Sequence, residues 1–297
     1  MDALAFDLKS LTLTTGEGSH VTHNQRHLGL QLIARELAGL GYKMPSMRSI
    51  KPKHITALVE SWKAAGLATG TIKNRMSWVR YWARNTRKIS VVARNNSDLG
   101  IPQRQLAGID KARTTSAEQL AKLPAEWMRL AVRLQMAFGL RLEESLKFRP
   151  GTADQGGYVA LQASWCKGGR ARAIPLVHDR QRDLLQQIHD VAGDGSLVPA
   201  GMTYKQARDA IENATWGAEI RNMHGHRHWY AQWRYQALMG APCPAAGGKA
   251  YANMTLAERR ADHRVRLQVS RELGHNRVGI TDAYLGARSA AKGKRHE

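Results

Sequence analysis

The sequence predicts a mainly α chain with a small antiparallel β-sheet in its C-terminal part, an α+β arrangement of two domains. Three observations predict it. Apolar residues recur at helical spacing through most of the first ninety positions. That periodicity breaks over 89–112, ISVVARNNSDLGIPQRQLAGIDKA, where Asn-Asn, Asp, Gly and Pro mark a linker. Beyond it, two short strand-like runs flank a Gly-Gly pair.

In chain order, the first twenty residues show no clear period. From Thr22 a helix is expected, with Leu28, Ile33, Leu37 and Leu40 on its apolar face and Gly39 and Gly41 at its end. A second should run from Pro52 to Ala65, presenting Ile55, Leu58, Val59 and Trp62. Thr69 or Thr71 can cap a third, reaching about Arg87 with Ile72, Met76, Val79 and Ala83 buried. On its flank Lys73, Arg80, Arg84 and Lys88 fall together at 100° per residue, the stripe a helix needs to lie against phosphates. Thr115 or Ser116 with Glu118 opens a further helix, and another spans Ala125 to Phe138 before Gly139. Tyr158–Leu161 and Ala171–Leu176 read as strands around a turn of Lys167, Gly168, Gly169 and Arg170. From Asp179 the chain is helical again, except for a loop at 240–248, GAPCPAAGG. The resulting domain boundary lies at 107/108.

Composition narrows the partners. Apolar residues make up 43% of the 297 positions, enough for ordinary cores. No uninterrupted apolar run is long enough to span a bilayer, and the N-terminus lacks a signal-peptide pattern. Cys166 and Cys243 form no CxxC or disulfide framework, which fits a reducing cytoplasm. The formal net charge of +21 calls for a polyanion. Residues 1–110 hold 16 Lys/Arg against 7 Asp/Glu, and residues 111–297 hold 29 against 17, so both halves suit a phosphate backbone.

Four segments carry chemistry suited to a phosphodiester. They are Gly139-Leu140-Arg141-Leu142-Glu143-Glu144; Lys167 at the hairpin tip; His224-Gly225-His226-Arg227-His228; and Leu273-Gly274-His275, followed by Tyr284 nine residues on. Each has a plainer reading. Arg141 with Glu144 could be a helix-surface ion pair, Lys167 a solvated turn, and Tyr284 a packed phenol like Tyr230, Tyr235 or Tyr251. His224 and His228 are also an i, i+4 pair of the kind zinc uses, although no Glu completes an HExxH pattern. The aromatic run Trp229, Tyr230, Trp233, Tyr235 suits core packing better than base stacking.

In their order and spacing these segments resemble the signature boxes of the tyrosine recombinases, the family of phage integrases and Xer-type resolvases. The match covers roughly 113–286, and the basic helical N-terminal part resembles the family's core-binding domain more loosely. The resemblance implies a DNA core-binding domain over 1–107 and a catalytic domain over 108–297. It implies site-specific recombination through a 3′-phosphotyrosine intermediate, without cofactor or metal, for integrating or excising a mobile element. Tyr284 is then the nucleophile, Arg141 and Arg227 clamp the phosphate, and His224 is the base. Lys167 protonates the departing 5′-oxygen and His275 hydrogen-bonds the scissile phosphate. Lys73, Arg80, Arg84, Lys88 and Arg170 would contact double-stranded DNA. A homotetramer on paired sites in the nucleoid, with room for an accessory DNA-bending protein, follows from the family. A type IB topoisomerase-like enzyme would use the same groups, and an inactive DNA-binding factor or a zinc hydrolase remain as other classes.

Two departures stand out. Arg227 and His275 lie 48 residues apart, further than the family's usual spacing, with the surplus centred on 240–263. His226 stands where an apolar residue is usual. The tail after Tyr284, GARSAAKGKRHE, is short and basic.

Overall fold

The computed structural model describes residues 3–15, 18–103 and 110–288. The chain forms two compact units, Met1–Arg104 and Gln105–Glu297. Both are dominated by helices, and among the described residues the one sheet has two antiparallel strands. No described helix is long and apolar enough to cross a membrane.

The first unit packs α1 (Ala3–Thr14), α2 (His20–Gly39), α3 (Pro52–Ala64) and α4 (Thr69–Asn85) around one core. The N-terminal segment, with no period in its sequence, is helical. Leu4, Leu8 and Leu11 recur at i, i+4, i+7 and are buried, but Phe6 and Leu13 point outward at 60% and 67% exposure. Apolar residues on both sides blur the moment that marks an amphipathic helix. In α2 the buried stripe is Leu30, Ile33, Ala34 and Leu37, whereas the expected Leu28 and Leu40 face out. All four expected core residues of α3 are buried, as are those of α4. Neither threonine caps α4 with its side chain; the N-cap is Ala68. Residues 89–103 belong to this unit, with Val92 and Ile101 in its core, so the linker is narrower than its composition suggests. Residues 104–109, including the expected boundary, lie outside the described residues, as does the tail from 289.

The second unit comprises α5 (Ala117–Ala121), α6 (Glu126–Phe138), α7 (Leu142–Leu146), α8 (Pro150–Ala153), β1 (Tyr158–Leu161), β2 (Arg172–Pro175), α9 (Asp179–Ala192), α10 (Tyr204–Gly217), α11 (His224–Met239), α12 (Leu256–Glu272) and α13 (Val278–Leu285). Leu130, Ala131, Leu134 and Phe138 of α6 form its buried centre, against which α9 and α11 pack. Ser116 caps α5 in a capping box completed by Gln119, not Glu118.

The strands pair from Tyr158↔Pro175 to Leu161↔Arg172. Residues 162–171 connect them, starting with a single 3-10 turn at Ala163–Trp165. The Gly-Gly pair is therefore the end of a long loop, not a two-residue hairpin turn. Both glycines adopt left-handed backbone (φ +78° and +66°), which a residue with a Cβ rarely takes.

The surplus over 240–263 is not an excursion. Cys243 is buried, the Pro244–Ala246 turn packs beside Gly286, and the remainder starts α12. Asp262 and Arg266, both fully buried, are paired at 2.9 Å. Arg266 also donates to Asp282 (3.2 Å) and to the Gly286 carbonyl (3.0 Å), and Tyr235 donates to Asp262 (2.7 Å). The added residues thus brace the helix that carries Tyr284.

Candidate active site

The residues of the four sequence boxes all lie in the second unit. Helix α6 ends at Gly139, whose φ is +61° and whose position leaves no space for a Cβ beside the Tyr230 ring. The reversal places Arg141 at the N-cap of α7 with Glu144 at the third position of that helix. Glu144 is fully buried and accepts from the Arg141 amide and from Arg141 Nη1, each at 2.7 Å. Its second partner is Arg172 of β2, which binds both carboxylate oxygens, at 2.7 and 3.0 Å. Burial alone would raise the Glu144 pKa; the bonds and charges of Arg172 and Arg141 outweigh it and hold the group at about 2. The pair is therefore a buried frame, not a surface ion pair.

Arg227, on the first turn of α11, is 1% exposed. Its guanidinium donates to the carbonyls of Gly139 (2.5 Å) and Leu273, which end α6 and α12. Helix C-termini leave such carbonyls unpaired and carry partial negative charge, so two of them can stabilise a cation out of water. Burial lowers its pKa to about 10, which leaves it charged at neutral pH. The same side chain points Nε at the Tyr284 hydroxyl and Nη2 at His275 Nε2, both at 3.4 Å.

Leu273-Gly274-His275 closes α12. The His275 amide returns to the Ser270 carbonyl (2.8 Å) through Gly274 at φ +74°. The Ser270 hydroxyl then bonds both backbone groups of Arg277 and sets the start of α13. Near the end of that helix Tyr284, 6% exposed, brings its hydroxyl 3.4 Å from His275 Nε2. His228 lies against the phenol ring, with centroids 4.5 Å apart, and His224 stands further out at 6.3 Å. Among the described residues, the imidazole within hydrogen-bonding distance of the phenol is thus His275 and not His224.

All three imidazoles are neutral at pH 7. Burial first, then Arg227 and Arg141, lowers His275 to about 4. Burial, then His224 and Lys111, does the same for His228. His224 is lowered by burial and by Arg227, Arg141, Lys111 and Lys167. The Lys167 charge is therefore felt at the site, although the side chain is exposed on the 162–171 loop. Arg170 reaches the His275 carbonyl at 3.4 Å.

Sequence reasoning missed Arg172. Its signal was an arginine two residues from Ile174 on the inward face of a strand, which calls for a buried carboxylate. The competing tyrosines are otherwise occupied: Tyr230 donates to Glu272 (2.8 Å), Tyr235 to Asp262, and Tyr251 lies beneath Arg259. His226 turns away from His224 and His228 to share a 2.8 Å bond with Thr115, in a buried pocket that lowers its pKa to about 4. Among the described residues no three His, Cys, Asp or Glu side chains gather as a metal site would need.

Four of the five expected DNA contacts lie in the first unit, the fifth being Arg170 on the 162–171 loop. Lys73 and Arg80 line a cavity of about 630 Å³ with Arg94, Asn95, Asn96 and Gln103, and Arg80 donates to Asn96 (2.7 Å). Arg84 is exposed. Lys88 does not share their stripe: α4 ends at Asn85, and the Lys88 ammonium binds the Arg48 carbonyl.

Residues 1–91 match the family described as phage integrase, N-terminal. The whole chain superposes on a lambda integrase dimer bound to a COC′ core site, with a TM-score of 0.62 at 14% identity, covering 99% of this chain and 79% of that one. The chain has the fold of that integrase. A lambda integrase tetramer on a Holliday junction gives a TM-score of 0.61 at 15% identity, over 99% and 79% of the two chains. The XerH site-specific recombinase in a post-cleavage complex gives 0.58 at 16%, over 94% and 80%. No curated protein sequence matches the chain.

In this recombinase fold the start of α11 is laid tightly against residues 111–113. The Arg113 amide donates to the Gly225 carbonyl (3.1 Å), and a Cβ on Gly225 would sit 2.8 Å from the Lys111 carbonyl. Gly225→Ala must push that segment away, at a cost of about 1–3 kcal/mol. A lowered Tm is the expected result; an unchanged Tm would show that the segment yields freely.

Proposed function

We propose that the protein is a site-specific DNA recombinase that breaks and rejoins duplex DNA through a phosphotyrosine at Tyr284. The observation that carries this reading is the convergence on one point. The Arg227 guanidinium lies 3.4 Å from both the Tyr284 hydroxyl and His275, and Arg141 is held beside them through Glu144.

A phosphodiester bound at this site would meet permanently charged donors in Arg141 and Arg227. Attack by the Tyr284 oxygen on phosphorus forms the phosphotyrosine bond and breaks the bond to the DNA 5′-oxygen. The trigonal-bipyramidal species between them carries extra negative charge, which Arg141 and Arg227 offset. The phenol proton has His275 Nε2 as its nearest acceptor. An imidazole with a pKa near 4 is a weak base; burial first and then the Arg227 and Arg141 charges depress it, and an arriving phosphate offsets the second of these. Lys167, on its glycine-flanked loop, would protonate the leaving 5′-oxygen. The guanidiniums supply the charge compensation that metal ions provide in other phosphoryl-transfer enzymes. Basic residues Lys73, Arg80 and Arg84 of the first unit would hold the DNA backbone, and recombination between two sites would need an oligomer, as in the DNA-bound lambda integrase assemblies. The excision or integration of a mobile element is the role such chemistry serves.

The test is trapping on a half-site DNA carrying a nick. A protein–DNA adduct that survives denaturation is expected, and Tyr284→Phe should abolish it. Absence of any adduct with the unaltered protein on a panel of candidate sites would overturn the reading. Relaxation of supercoils without joining of two sites would assign the same chemistry to a topoisomerase.

A further inference from the structure

Gln232 is buried on α11, five residues beyond Arg227, and takes no part in the chemistry above. Its single amide group donates in two directions: to Asp110 Oδ1 at 2.7 Å and to the backbone carbonyl of Tyr284 at 3.3 Å. The second acceptor is one of the carbonyls that the end of a helix leaves without an intrahelical partner. The first belongs to Asp110, whose Oδ1 also accepts from the Ala112 amide (2.9 Å). The segment that follows is stitched to α11 at two more points, Arg113 to Gly225 and Thr115 to His226.

We propose that Gln232 is a positioning residue for Tyr284, and that it ties the nucleophile's helix to Asp110, at the start of the segment stitched to α11. The inference rests on the reading of Tyr284 as nucleophile. A primary amide suits the task because its two hydrogens diverge, so one side chain can hold two acceptors from different parts of the chain. Both acceptors face the same nitrogen, so losing either bond leaves the amide free to swing toward the other. The placement of the phenol thus depends on where Asp110 sits. Hydroxyl side chains at this position could serve one acceptor only, and a carboxylate would repel both.

Two measurements on the full chain test this. In hydrogen exchange, Gln232→Leu should speed exchange in the peptide covering 278–288 while leaving the peptide covering 256–272 unchanged. In single-turnover adduct formation, Gln232→Leu should slow cleavage about tenfold, the worth of one hydrogen bond, with DNA affinity unchanged. Asp110→Ala should give a similar loss, and Asp110→Asn, which keeps an acceptor oxygen, should recover most of it. Because both residues act through one bridge, the Gln232→Leu/Asp110→Ala double variant should lose no more than the worse single. Losses that multiply, or unchanged exchange over 278–288, would overturn the proposal. A wild-type protein that forms no adduct would instead overturn the recombinase reading, while the exchange measurement would still decide whether Gln232 holds α13.

Discussion

Glu144→Ala should melt the second unit about 6–20 °C below the parent and abolish adduct formation. The carboxylate is fully buried, paired with Arg141 and bidentate with Arg172, and 4.0 Å from Arg227. Removing it leaves Arg172, itself 4% exposed, as an uncompensated buried charge and brings three guanidiniums together without a counterion. Breaking one side of a buried ion pair costs about 3–5 kcal/mol. In a unit of this size each kcal/mol moves Tm by about 2–4 °C. The chemistry suffers for a separate reason, because Glu144 also fixes the Arg141 amide and guanidinium at the start of α7. Glu144→Gln keeps the acceptor oxygen and the shape, so it should retain more stability than alanine. Scanning calorimetry of the two variants decides the matter; an alanine variant melting within 2 °C of the parent would show that the frame carries little.

Acidification should destabilise the same unit in two successive windows. Burial holds His226 and His228 at about 4 in the folded protein, against 6.5 for the free side chain. Above pH 6.5 both states are neutral and these histidines contribute no pH dependence. Below it the unfolded chain takes up protons that the folded chain refuses until about pH 4. Stability therefore falls between pH 6.5 and 4, by up to about 3 kcal/mol for each histidine. Glu144 acts in the same sense, in a lower window. Its folded pKa of about 2 lies below the free value of 4.5, so its contribution is complete above pH 4.5 and is lost as pH falls toward 2. Urea unfolding at pH 7, 5.5 and 4.5 measures the first window. His226→Leu should flatten the slope there; an unaltered slope would remove His226 from the account.

What could be seen in the sequence was chemistry placed at helix ends. Arg141, Arg227 and His275 each follow or sit beside a glycine that turns the chain, so their boxes are short and self-contained. The structure brings these three together with Tyr284. What could not be seen depends on distant pairing. Arg172 joins the site through Glu144, 28 residues earlier, and no local pattern links the two. Gln232 is one polar residue in an aromatic run, and its partners lie at Asp110 and Tyr284. Lys88 was misplaced because helical periodicity was carried past Asn85, where the helix stops. Helix α1 escaped notice because Phe6 and Leu13 make it apolar on its outer face as well.

The eight-residue length of α13 has a consequence of its own. A helix that short does not persist in water, since propagation over two turns cannot repay nucleation. Asp282 bound to Arg266, the Ser270 hydroxyl bound to Arg277, and Leu285 in the core therefore create the helix as well as anchor it. Seating the segment and coiling it become one cooperative event. The phenol is accordingly either presented in full geometry beside Arg227 or carried on unstructured chain.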